Sequence, residues 1–240
     1  MADVSGVDAS AYAFTQGVRA TRNALTAWRR RPWPIFRLWL LGSLTTAALL
    51  LLSIWLIALL RSGTVAAAAP SEPPFATGGI GDVARILVHN LLVLALHTMA
   101  CVAGFIAGSS LPLQAKYQTG VNRVIHERGR TVAMTCVVGA TAFSLAMQAY
   151  SLGGGIAQVA GGLHVEPGLV LLGLLPHALP ELAALFMPLS AWIIASRRDE
   201  WDQLLAATVV TSAVAVPTLL IASLWEVYAA PHVAAALLGY

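Results

Sequence analysis

The chain has 240 residues, of which 58% are hydrophobic and 10% charged, with a formal net charge of +3. Mean hydropathy is +0.76. Soluble domains carry about 25% charged residues, so this composition excludes a soluble domain and defines an all-α integral membrane protein. No polar stretch is long enough to fold separately, so one membrane domain is expected.

In chain order, residues 1–34 form a cytoplasmic amphipathic segment. Within it, Ala9–Arg31 reads as a helix on which Tyr12, Phe14, Val18, Leu25 and Trp28 share part of the surface. Trp28 and Trp33 would anchor it at the interface, and its arginines would favour anionic lipid. A docking surface for a cytoplasmic partner, centred on Arg29, Arg30 and Arg31, is the sharper alternative. The membrane domain, 35–228, contains five runs near the ~20 residues a bilayer requires. They fall at Ile35–Leu60, Leu87–Pro112, Thr131–Leu152, Gly168–Ser196 and Leu204–Tyr228. No cleavable signal peptide precedes them, because the first apolar run starts only near Ile35. Ser62–Gly81 is rich in Ala, Pro and Gly and reads as a flexible outer loop. Gln114–Arg130 is the longest cytoplasmic loop, and its Arg123, Arg128 and Arg130 are further docking candidates. Gly153–Gly162 is expected to end an outer excursion, and 229–240 to form a short outer tail. Cys101 and Cys136 lie in apolar runs and read as small buried hydrophobes.

Basic residues in short loops mark the cytoplasmic side. All of them except Arg61 and Arg85 fall before or at the start of span one, between spans two and three, or between spans four and five. The N-terminus is therefore expected inside and the C-terminus outside. One lysine among thirteen arginines, with abundant alanine, fits a GC-rich bacterial genome and thus a bacterial cytoplasmic (inner) membrane.

The fourth span holds the most unusual run, Leu175-Pro176-His177-Ala178-Leu179-Pro180-Glu181-Leu182-Ala183. Ionisable residues at membrane depth are costly and face a partner or a cavity. Prolines there free carbonyls that need other donors. At about 1.5 Å per residue the span is roughly 43 Å long, so it must tilt or break near Pro176–Pro180. The same arithmetic sets His177, Glu181, Gln148 and Glu226 toward the outer leaflet, with Asn90 at the outer end of span two and His97 two turns below. These residues form a candidate polar layer with two readings. They satisfy one another and the proline-freed carbonyls, or they line a pocket or partner site open to the outer face. A proton or ion relay is a lesser alternative. Glu181 is expected to contact His177 or a group from span two or three, such as Asn90 or Gln148.

Enzyme signatures are absent. There is no His-Glu-x-x-His zinc motif, no Gly-x-Ser-x-Gly elbow and no phosphate loop around Lys116. One His and one Glu at i, i+4 are too few ligands for zinc. No catalytic residue, metal or cofactor is assigned, and no nucleic-acid partner is expected. Gly104-x-x-x-Gly108 and Gly173-x-x-x-His177 suit close helix packing.

Leu175-Pro176-His177 followed by Pro180-Glu181-Leu182-Ala183 resembles the Pro-His-Gly…Glu-hydrophobe-x-Ala motif of the stage II sporulation protein M family. His89-Asn90-Leu91 is similar to the asparagine that opens that family's second span. Tyr117-Gln118-Thr119-Gly120 resembles its Asn-Gly loop motif with the asparagine replaced, and Ala178 stands where the family has glycine, as in a divergent member. The five-span layout agrees, and the resemblance extends over about Ile35 to Tyr228. It implies a non-enzymatic membrane scaffold or assembly subunit that positions partner proteins, among them periplasmic or cell-wall proteins, without implying sporulation. The alternative is the transmembrane subunit of an exporter-like complex driven by a separate cytoplasmic ATPase. Membrane lipids are expected partners on either reading, and homo-oligomerisation stays open.

Overall fold

The computed structural model describes residues 9–63, 77–110 and 120–238. They fold into helices, with no strand among the described residues. Lipid supplies no hydrogen-bond partners, and a helix satisfies its own backbone segment by segment. The helices are α1 (Ala9–Arg30), α2 (Trp33–Arg61), α3 (Ile80–Phe105, continued by a π-helical turn, Ile106–Ser110), α4 (Gly120–Leu163), α5 (Pro167–Arg198), α6 (Leu204–Tyr228, preceded by a 3-10 turn, Trp201–Gln203) and α7 (Ala230–Leu238). Five of these, α2 to α6, are long and apolar enough to cross a membrane.

The bundle is organised around α5, which packs against α2, α3, α4, α6 and α7. Its residues Leu182–Trp192 are buried without interruption, as expected of a helix that is apolar on every side. Pro167 opens α5 at a position where its missing N–H costs nothing. Asp199, left-handed at φ +59, closes it, and its Oδ1 accepts a 2.6 Å hydrogen bond from Trp201 Nε1.

The break expected at Pro176–Pro180 does not occur. Helix α5 runs unbroken with Pro176, Pro180 and Pro188 inside it. Each proline deletes only the bond to the carbonyl four residues earlier, here those of Leu172, Pro176 and Ala184. Pro176 and Pro180 are one turn apart and exposed, so their rings share an outward stripe and do not intrude on the packed faces.

Two loop expectations are likewise corrected. Residues from Gly120 onward, assigned above to the Gln114–Arg130 loop, begin α4, and Gly153–Gly162 belongs to the same helix. Polar residues and glycines interrupt hydropathy without interrupting the helix. The glycines allow close approach: Gly153 lies against Ile57 and the Ile54 carbonyl of α2, and Gly154 against Arg61. The Arg61 guanidinium also sits 4.8 Å from the Tyr150 ring centre. The turn from α4 to α5 is only residues 164–166, with His164 left-handed. Cys136, expected to be buried, is exposed on α4, whereas Cys101 is buried as expected.

Helix α1 packs on α6 and the 3-10 turn. Gly17 lies against Phe105 and Leu205, and Trp28 meets Trp39 edge-on with ring centres 5.1 Å apart. The C-terminal segment is not a simple tail: α7 folds back on α5 and α6, bringing Ala234 within 3.8 Å of a Cβ placed at Gly173.

Candidate functional site

The site lies along the seam of α3 and α5. Buried α3 residues Val83, Asn90, Leu94, His97, Cys101 and Gly104 follow alternating three- and four-residue steps from Asn90 on, the spacing that keeps one stripe facing a neighbouring helix. Their partners ascend in step on α5, so the two helices run parallel. Asn90 Nδ2 donates to Glu181 Oε1 at 2.9 Å. The His97 ring lies edge-on to Phe186 with centres 5.5 Å apart. Cys101 Sγ lies 3.1 Å from the Pro188 carbonyl and donates to it. Gly104 admits the Trp192 indole.

At the upper end of the seam, the structure brings together Asn90, Glu181, His177 and Glu226. Glu226 of α6 is within electrostatic range of Glu181, and Arg85 of α3 within range of Glu226. Arg85 is also ion-paired to Asp82 at 2.9 Å, and Asp82 Oδ2 accepts from the Gly79 N–H at 3.0 Å. His177 is 5% exposed, and its Nδ1 has no hydrogen-bond partner. With Glu226 it lines a cavity of about 210 Å³ whose other walls are apolar and include Gly173, Leu174, Ala234 and Leu237.

Other candidates lie elsewhere. Gln148 stays on its own helix and donates to Ser144 Oγ at 3.1 Å. His97 is buried lower on the seam with Nδ1 unpartnered. Pro176 and Pro180 face outward. Arg29, Arg30 and Arg31 are exposed at and just beyond the end of α1. The side chains of Arg123, Arg128 and Arg130, and the whole of Tyr117–Thr119, lie outside the described residues.

Sequence reasoning missed the cavity wall contributed by α7, because Ala230–Leu238 has no polar pattern. It also missed Trp192, whose Nε1 is buried and unpartnered; the glycine at 104 was the available signal. Among the described residues no three His, Cys, Asp or Glu side chains converge as a metal set. Glu181 already holds a donor, and the spare capacity is the imidazole of His177 beside Glu226. That arrangement can take up a polar group from one side of an apolar cavity.

The fold and its composition define a multi-pass helical membrane protein. No protein-family model, curated protein or solved structure matches the chain.

Proposed function

We propose that this chain is a non-enzymatic scaffold or assembly subunit of a bacterial cytoplasmic membrane, with its N-terminus inside and its C-terminus outside, akin to the stage II sporulation protein M family. The supporting observation is α4. Its 44 residues make a rod of about 66 Å, against a hydrocarbon core of ~30 Å. The apolar part begins just after Arg130, so about three turns extend beyond it on the side rich in arginine. Over its most apolar 18 residues α4 is also the least covered span, 11% buried where the matching stretches of the others are 33–39%. Phe143 and Met147 are exposed on it. A helix that packs mainly on α2, faces outward for most of its girth and projects past the bilayer is suited to holding another protein.

Photo-crosslinkers at Phe143, Met147 and Glu127 in native membranes test this. Adducts to one or a few defined proteins are expected. An ATPase recovered from Glu127 moves the assignment to an exporter subunit, whose feature would be the same projecting helix acting as a coupling element. Adducts to lipid alone at all three positions overturn both.

A further inference from the structure

At the opposite end of the bundle from the polar cluster, α1 lies beside the start of α6 and leaves two grooves. The first, about 660 Å³, has an apolar wall of Val18, Leu25, Leu205 and Val209, with Arg22 and Arg29 on its lining. The second, about 240 Å³, is lined by Trp28, Ile35, Phe36, Trp39 and Val210. The grooves meet: Leu25 and Arg29 line both. Neither lining contains a carboxylate, and Arg22 and Arg29 have no ion-pair partner among the described residues. At 3.6 residues per turn, Arg29 lies seven residues and almost two full turns beyond Arg22, so the two share a face of α1, whereas Arg30 is rotated roughly 80° away from it.

The geometry points to a site for one diacyl anionic phospholipid, its phosphate held by Arg22 and Arg29 and one acyl chain in each groove. Charge selects the head group: two guanidiniums without a counter-charge match a phosphodiester that carries no compensating ammonium. Shape selects the tail: two apolar grooves diverging from one basic junction match two chains leaving one glycerol. Position agrees, since Trp28 lines the second groove and Trp33 lies beside its Phe36, with ring centres 6.3 Å apart, as interfacial aromatics do, and basic pockets between helices at that level favour anionic head groups. This inference stands apart from the scaffold reading and survives its failure.

The test is native mass spectrometry of the purified full chain, titrated with dioleoyl phosphatidylglycerol, dioleoyl phosphatidylcholine and the single-chain lysophosphatidylglycerol. Each arginine near the head group contributes about fivefold in affinity, so Arg22→Gln with Arg29→Gln should weaken phosphatidylglycerol binding about 30-fold. Arg30→Gln with Arg31→Gln should change it less than about twofold, although the net charge lost is the same. Phosphatidylcholine and the single-chain lipid should bind the wild-type chain more weakly than phosphatidylglycerol. Equal losses in the two arginine pairs would mean general surface charge and would overturn the site, as would equal binding of the two diacyl lipids. If the first pair fails to fold, Val209→Trp and Val210→Trp decide: each fills one groove, keeps both arginines, and should reduce phosphatidylglycerol binding. Unchanged binding in both overturns the proposal.

Discussion

Removing the Asn90 side chain takes away the donor that Glu181 Oε1 receives across the α3–α5 seam. Hydrogen bonds between membrane helices average about 0.6 kcal/mol and reach about 1.7, whereas those to ionised groups elsewhere run about 1.5–3 kcal/mol. Asn90 is 5% exposed, but the group nearest in charge to Glu181 is another carboxylate, Glu226, which works against a fully ionised acceptor, so the range for membrane helices applies. We expect Asn90→Ala and Glu181→Ala each to cost about 1.5 kcal/mol, and the double variant about 2, a coupling of about 1 kcal/mol. Glu181→Gln keeps an acceptor for Asn90 Nδ2 and should stay within about 0.6 kcal/mol of wild type. Reversible unfolding in mixed micelles, run as a double-mutant cycle, measures this directly. Additivity of the two single variants within about 0.3 kcal/mol would show that the bond contributes nothing and refute the reasoning.

Three further outcomes are expected. Gly153→Leu should loosen α4 from α2 by about 1–3 kcal/mol, because a Cβ there stands 2.8 Å from Ile57; Gly155→Leu, with nothing within 4 Å, should leave stability unchanged, and thermal unfolding of the pair separates packing from loss of glycine. Gly104→Val should lower the unfolding temperature and alter the near-ultraviolet signal of Trp192, whose Nε1 lies 2.6 Å from the added Cβ position; a normal melt with native tryptophan spectra would contradict the close approach. In the folded chain in detergent, an apolar maleimide that partitions into the micelle should label Cys136, on the outward surface of α4, much faster than buried Cys101, so equal labelling rates before unfolding would contradict the packing of α3.

The five spans were legible because lipid compels long apolar runs, and no other arrangement hides 58% hydrophobic residues so evenly. Asn90 and Glu181 were legible as neighbours because depth can be counted along a helix. Gln148 has similar depth yet binds Ser144, since depth leaves the angle about the axis undetermined, and that angle is set by how α4 rests on α2. The start of α4 was misread because hydropathy marks where lipid ends and not where a helix ends. The prolines of α5 were misread because three deleted hydrogen bonds in 32 residues are tolerated when the helix is clamped by neighbours on its other faces. The cavity depended on α7, nine residues too few to announce themselves as a packed element.

The central place of α5 has a consequence for biogenesis. The ribosome delivers α2, α3 and α4 before the helix on which they converge. At about 5–20 residues per second, the delay between completing α2 and completing α5 is on the order of ten seconds. During that interval α2 can pair with α4 through Gly153, but α3 holds Asn90 and His97 in lipid with their seam unfilled. The bundle is thus half-built until the last two spans arrive: α5 fills the seam, and α6 then packs on both α3 and α5.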